Sequence, residues 1–141
     1  MTLYLDTSAL VKLYFEESGS AEVRERVRQA AVVATSRVAY IETLSGIARK
    51  NREGELAGKD RTRVTGEFLD DWKSFFVIEV SEPLCRLAGD LVTRHPLRTL
   101  DAVHLASALL LRDKLEEKVE FCGFDQRLGE AARLEGLWSL V

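Results

Sequence analysis

The chain has 141 residues, of which 46% are hydrophobic and 30% charged, and its net charge is −3. These values are typical of a soluble globular protein, and we expect residues 1–141 to form one domain. No apolar run approaches the roughly 18 residues of a membrane span, and no secretory signal is visible, so we expect a cytoplasmic protein. Cys85 and Cys122 lie far apart in no metal-binding pattern, which predicts two buried free thiols.

Short β-branched and apolar runs alternate with stretches of helical periodicity along the chain. The predicted strands are 1–5, 32–35, 75–80, 118–124 and 137–141. The predicted helices are 8–18, 21–31 capped by Ser20, 38–51, 60–74, 81–94, a helix capped by Thr99, and 128–134. This order predicts an α/β fold with a parallel or mostly parallel sheet and helices on both faces.

Two acidic residues come directly after predicted strands. Asp6 ends the first apolar run, and Asp125 follows the strand 118–124. The carboxyl ends of parallel strands share one edge of a sheet, where ligand sites form, so we expect both carboxylates at that edge. Asp is also a preferred helix N-cap, and each residue has that alternative explanation.

Two further acids lie within predicted helices. Glu42 has no Lys or Arg three or four residues away to pair with it, although a solvent-facing Glu remains the simpler alternative. Asp101 lies in the first turn of an apolar helix, where a carboxylate favours the helix dipole by about 0.3–1 kcal/mol. An unpaired carboxylate near a core is costly, however, which favours a functional role.

If these four carboxylates meet, their mutual repulsion requires a compensating charge. A hard divalent cation, Mg²⁺ or Mn²⁺, matches a ligand set made only of oxygen. Such a cation activates water and stabilises the leaving group, which indicates phosphodiester hydrolysis. His104 lies three residues after Asp101 on the same helix face, and it is either a hydrogen-bonded structural residue or a supporting residue of this site.

Four segments together resemble a PIN domain, and most of all the VapC-type ribonuclease toxins of prokaryotic toxin–antitoxin pairs. They are residues 3–12 (LYLDTSALVK), the isolated Glu42, residues 98–108 (RTLDAVHLASA) and residues 124–128 (FDQRL), in that order. The resemblance implies a three-layer α/β/α sandwich and an endoribonuclease that depends on Mg²⁺ or Mn²⁺. It also implies a homodimer and a cognate VapB-type antitoxin whose tail occupies the active-site groove.

By motif position, the resemblance implies that four acids are catalytic and bind the metal: Asp6, Glu42, Asp101 and Asp125. Asp6 and Asp101 are then the firmest ligands, while Glu42 and Asp125 complete the site and help to position the attacking water. The residues expected to support this site by hydrogen bonding are Thr7, Ser8 and His104.

The chain departs from the resemblance at Gly123, where similar proteins often carry Ser or Thr two residues before the last acid. Without that hydroxyl, the role of Asp125 stays open. Basic residues fix the register of a nucleic acid through its phosphates and do not read its sequence. The candidates for such contacts are Arg49, Lys50, Arg52 and Arg98.

Two other functions are compatible with an α/β fold that carries acids at a strand end. A receiver-type phosphoacceptor domain needs an acidic pair after the first strand and a late lysine, whereas Asp6 stands alone after its strand. A non-catalytic RNA- or protein-binding module of the same fold would not need the intact acidic set. A metal-dependent ribonuclease toxin is therefore the leading hypothesis.

Overall fold

The computed structural model describes residues 1–140, which build a five-stranded parallel sheet in the order β3-β2-β1-β4-β5. The strands are β1 (Thr2–Leu5), β2 (Val32–Ser36), β3 (Phe76–Ile78), β4 (Val119–Cys122) and β5 (Trp138–Ser139). The helices are α1 (Thr7–Leu10), α2 (Ser20–Gln29), α3 (Val38–Arg52), α4 (Gly58–Trp72), α5 (Glu82–Arg94), α6 (Thr99–Leu115) and α7 (Gln126–Leu134). The predicted α/β fold with a parallel sheet is confirmed.

The central strand β1 divides the core into two layers, because successive side chains of a strand point to opposite faces. Leu3 and Leu5 are fully buried in one hydrophobic cluster, which also contains Phe68 of α4. Tyr4 is buried in the other cluster, together with much of α6, including Leu105. Helices therefore cover both faces of the sheet, as in a three-layer sandwich.

Local capping signals set several helix boundaries, but two of the predicted caps are wrong. Ser81 accepts a hydrogen bond from the Leu84 amide and caps α5, at the start of the helix predicted for 81–94. Ser20 is the first helical residue of α2, and the preceding Gly19 takes the N-cap position with a φ of 92°. Thr99 is likewise the first residue of α6, because Arg98 occupies its N-cap position.

Other predicted features need correction in detail. The first helix ends at Leu10 and continues only as a 3₁₀ turn, Val11–Leu13, so the helix predicted for 8–18 is much shorter. Both cysteines are free, but Cys85 is exposed and only Cys122 is buried. The last predicted strand includes Val141, which lies outside the described residues. Across residues 1–140, no helix is both long and apolar enough to cross a membrane.

Candidate active site

The candidate site lies beyond the carboxyl end of β1, between its two neighbouring strands. The chain leaves β1 for β2 on one side, and β4 lies on the other side, so the strand order reverses here. In open α/β sheets this switch point leaves a crevice in which ligands bind. An open cleft of about 510 Å³ occupies that position, and all four predicted acids line it: Asp6, Glu42, Asp101 and Asp125.

Asp6 is the most buried of these acids, with 3% of its surface exposed. One carboxylate oxygen, Oδ1, accepts hydrogen bonds from the Ala9 amide at 3.0 Å and from the Ser8 hydroxyl at 2.7 Å. Asp6 therefore caps α1, as the alternative explanation predicted, and it faces the cleft as well. Burial raises its pKa, although the nearby His104 acts in the opposite direction.

Gly123 explains how Asp6 fits between β1 and β4. A Cβ atom at Gly123 would lie 2.5 Å from Oδ2 of Asp6, which is closer than any normal contact. A Ser or Thr at this position would therefore collide with the Asp6 carboxylate. The Ser8 hydroxyl supplies a link instead, because it donates to Asp6 and accepts from the Phe124 amide at 3.0 Å.

Glu42 ends a hydrogen-bond chain that begins in the buried core, and the sequence predicted this chain only in part. Its Oε1 accepts from the Thr7 hydroxyl at 2.7 Å and lies 2.9 Å from Nε2 of His104. Nδ1 of His104 lies 2.7 Å from the Tyr4 hydroxyl. Since a carboxylate only accepts, Nε2 carries the proton and Nδ1 is free to accept from Tyr4. Burial raises the pKa of Glu42, but the hydrogen bonds from His104 and Thr7 outweigh it and bring the pKa below its usual value.

Asp101 and Asp125 share one cation at the mouth of the cleft. Nε of Arg98 lies 3.3 Å from Asp101, and a terminal nitrogen of the same guanidinium lies 3.7 Å from Asp125. Asp125 also caps α7 by accepting from the Leu128 amide at 3.0 Å. Arg98 itself is 83% exposed, so it can leave this position at little cost.

The donor set fits a hard cation, although the side chains do not enclose one. Oδ2 of Asp6 accepts no hydrogen bond from the described residues, and no Lys or Arg lies within ion-pair distance of Asp6 among them. A buried carboxylate without a counter-ion is costly, and a divalent cation would offset that cost. Within residues 1–140, however, no three acidic, His or Cys side chains are grouped closely enough to hold a metal ion.

The other predicted residues divide into two groups. Thr7, Ser8, His104, Arg49 and Arg98 all line the acidic cleft. Lys50 and Arg52 do not line it, and Lys50 pairs with Glu55 at 3.4 Å instead. The sequence assigned no role to four further residues that line the cleft: Val11, Ser45, Gly46 and Leu100.

A family model described as the PIN domain matches residues 3–134. The chain therefore belongs to the PIN domain family, and the expected resemblance is confirmed. Within that family, relatives of this chain are named VapC ribonucleases. Ribonuclease VapC46 of Mycobacterium tuberculosis (strain ATCC 25618 / H37Rv) is 34% identical over 135 residues, covering 96% of this chain and 93% of the relative. Ribonuclease VapC45 of the same species (strain CDC 1551 / Oshkosh) is 33% identical over 111 residues, covering 79% and 77%.

Solved structures share the same fold at lower identity. FitAcB from Neisseria gonorrhoeae superposes with a TM-score of 0.73 at 16% identity, covering 99% of this chain and 96% of its own. VapC20 of Mycobacterium tuberculosis, described as a sarcin–ricin loop cleaving toxin, gives a TM-score of 0.65 at 19% identity, covering 92% and 94%. The receiver-type alternative does not agree with these findings, because receivers have the strand order 2-1-3-4-5 and this sheet has 3-2-1-4-5.

Proposed function

We propose that this protein is a metal-dependent endoribonuclease and the toxin of a toxin–antitoxin pair. The observation that carries the proposal is the convergence of Asp6, Glu42, Asp101 and Asp125 on one cleft at the switch point of the sheet. The names of the relatives, VapC ribonucleases at 33–34% identity, support RNA as the substrate. The proposed cofactor is Mg²⁺ or Mn²⁺, held by carboxylate oxygens of the four acids.

Each residue has a distinct task in this proposal. Asp6 and Asp101 are the main metal ligands, and Ser8 fixes the orientation of the Asp6 carboxylate. When bound, the cation would activate a water molecule and offset the charge that develops on the scissile phosphate. Glu42 stays ionised at neutral pH, because its neighbours lower its pKa, and it is therefore able to accept a proton from water.

The buried chain behind Glu42 holds that carboxylate in place. Thr7 and His104 both donate to Oε1, and Tyr4 fixes the ring of His104 from the opposite side. Burial raises the pKa of Tyr4 far above its usual value, so its hydroxyl remains a donor to His104. Positioning by locked neighbours of this kind is what general-base catalysis requires.

Substrate phosphates enter past basic residues at the rim of the cleft. Arg98 and Arg49 line the cleft and are exposed, which suits contacts that fix the register of the RNA backbone. We propose that Arg98 exchanges its acidic partners for a phosphate when RNA and metal bind. Lys50 and Arg52 lie outside the cleft, where they would contact only RNA that extends beyond it.

The proposed protein partners are a cognate antitoxin and a second copy of this chain. An exposed apolar side chain lines the cleft beside one of the acids: Leu100, 44% exposed, next to Asp101. Apolar groups at the rim of a polar cleft suit a protein segment that covers it. Analytical ultracentrifugation of the purified chain tests the homodimer.

Substitution of the two main ligands tests the proposed activity. Asp6→Asn and Asp101→Asn should each reduce Mn²⁺-dependent RNA cleavage at least about a hundredfold, because loss of a charge-stabilising group typically costs that much. Growth inhibition by the expressed protein should be relieved at the same time. Asn preserves the hydrogen-bonding shape, so circular dichroism should show folded variants. Cleavage at the wild-type rate by both variants would contradict the proposal.

A non-catalytic binding module of the same fold is the second candidate. The observation in its favour is that the acids of the described chain are not grouped as a closed metal cage. Calorimetric titration with Mn²⁺ separates the two functions. A ribonuclease site should bind the ion and lose it on Asp6→Asn, whereas a binding module should bind RNA without binding the ion.

A further inference from the structure

A second cavity of the protein differs in chemistry from the acidic cleft. It has a volume of about 340 Å³ and lies at the amino end of β4, whereas the acidic cleft lies beyond the carboxyl end of that strand. Val119 and Leu137 form its apolar floor, and both are buried. Its walls carry three cations and no carboxylate: Arg112, Lys118 and Arg133.

Two of these cations have no acidic partner among residues 1–140. Lys118 and Arg133 are exposed, and no Asp or Glu of the described chain lies within ion-pair distance of either residue. Arg112 is anchored, because it donates to the carbonyl of Glu135 at 2.9 Å and lies 3.1 Å from Asp113. Some other exposed cations of the described chain do have acidic partners, as Arg63 has Glu67 and Lys73 has Asp70.

An exposed indole stands at the mouth of the same cavity. Trp138 on the edge strand β5 is 51% exposed, although a large aromatic side chain normally gains stability by burial. Nζ of Lys118 lies 5.6 Å from the centre of its ring, and the guanidinium carbon of Arg26 lies 5.9 Å from it. Both distances lie within the range of cation–π attraction, and about half of Trp138 remains open to solvent.

We propose that this cavity is a second binding site for single-stranded RNA, separate from the acidic cleft. Trp138 would stack on a base, while Lys118 and Arg133 would contact the adjoining phosphates. Grooves that bind single strands without sequence preference combine aromatic platforms with unpaired cations in this way. The inference rests on the proposed ribonuclease function, because it gives the substrate strand a second point of attachment.

The position of the cavity suits a flank of the same RNA strand. Helix α6 carries Asp101 in its first turn and Arg112 near its other end, so it joins the two sites. Eleven residues of helix separate them, which corresponds to about 16 Å. Residues 102–109 of α6 are buried, so an RNA strand that reaches both sites would run over the elements that cover this helix.

RNA binding without cleavage tests this site directly. The probe is a polyuridine oligonucleotide of about 20 nucleotides, measured by fluorescence anisotropy in EDTA so that metal-dependent cleavage does not interfere. The double variant Lys118→Ala/Arg133→Ala should bind it about tenfold more weakly than the wild type. Its salt dependence should also fall, with a slope of log K against log salt smaller by about 1.4, because two phosphate contacts are lost.

The matched control removes the same charge from another face. Lys59→Ala/Lys73→Ala takes two exposed lysines from the α4 region, which does not line the cavity. This control should bind RNA like the wild type, apart from a small general effect of charge.

The stacking contact has its own readout. Trp138 is one of two tryptophans in the chain, so Trp72→Phe leaves it as the single indole reporter. RNA should quench its fluorescence, and Trp138→Ala should weaken RNA binding at least about fivefold.

Equal RNA affinity of the cavity variant and the wild type would overturn this inference, and Mn²⁺-dependent cleavage by both proteins would show that the proposed function still stands. Loss of binding to a protein partner alone, with RNA binding unchanged, would also overturn it. A wild type that neither binds nor cleaves RNA would overturn both proposals.

Discussion

Close approach at Gly123 determines where the Asp6 carboxylate lies. Only a residue without a Cβ atom permits Oδ2 of Asp6 to lie against the backbone after β4. The sequence singled out Gly123 only for its missing hydroxyl and did not predict this contact with Asp6. The contact joins residues from opposite ends of the chain, and no local pattern reports such a contact.

Gly123→Ala should therefore impair the site much more than the fold. The added methyl group must displace Asp6, and we expect Mn²⁺ affinity to fall at least about tenfold, in line with the effect of disturbing groups that orient metal ligands. Calorimetry with Mn²⁺ measures this loss. Gly89→Ala in α5 is the matched control, because nothing lies within 4 Å of its added Cβ atom. It should keep its metal affinity and gain about 0.5–1 kcal/mol of stability.

Arg98 is the residue whose removal should separate metal binding from catalysis. Its guanidinium lies between Asp101 and Asp125, where it opposes the approach of another cation. Arg98→Ala should bind Mn²⁺ roughly fivefold more tightly, since an exposed ion pair is worth up to about 1 kcal/mol. RNA cleavage should decrease nevertheless, because a phosphate contact is lost.

Arg86→Ala removes an exposed arginine of α5 that does not line the cleft, so it should change neither the Mn²⁺ affinity nor the rate of RNA cleavage. Unchanged Mn²⁺ affinity in Arg98→Ala would show that Arg98 does not compete for the site.

At the scale of elements, an ion pair between Arg26 and Glu120 links α2 to β4 of the sheet. Glu120 of β4 is 2% exposed, and its carboxylate lies 2.8 Å from a guanidinium nitrogen of Arg26. A buried charge that loses its partner is strongly destabilising, whereas an apolar replacement of the whole pair is often neutral. The sequence did not predict this ion pair, because it joins two elements that are distant along the chain.

Arg26→Ala should lower the free energy of unfolding by about 2–4 kcal/mol, because it leaves the Glu120 carboxylate buried without a counter-ion. Urea denaturation measures the loss. Arg24→Ala on the same helix, which removes an exposed pair with Glu16, should cost less than about 1 kcal/mol. The double variant Arg26→Met/Glu120→Leu should regain most of the stability, and failure to regain it would assign the loss to packing of the Arg26 side chain.

The sequence predicted the type of nearly every element, because hydrophobic periodicity is a local signal. The predicted caps Ser20 and Thr99 were each wrong by one residue. The residues before them, Gly19 and Arg98, take the N-cap positions, although Ser and Thr are better capping side chains. At Gly19 the chain needs a positive φ, which a serine tolerates poorly.

At the scale of the whole molecule, the strand order brings the four acids together. β1 lies between β2 and β4, so Asp6 lines one cleft with residues that follow both neighbours, Glu42 on α3 and Asp125 before α7. The sequence predicted that Asp6 and Asp125 share one edge of the sheet. It did not predict the order 3-2-1-4-5, because pairing between distant strands is not encoded in any single run of residues.

The dependence of RNA cleavage on a divalent cation tests the central proposal most directly. The wild type, freed of metal with EDTA and then titrated with Mn²⁺, should show no cleavage before the addition and full cleavage after it. Asp6→Asn and Asp101→Asn should stay inactive throughout the titration, because they lack an anionic ligand for the ion. RNA cleavage by the wild type that persists in EDTA, or that is restored equally in both variants, would contradict a metal site built from these carboxylates.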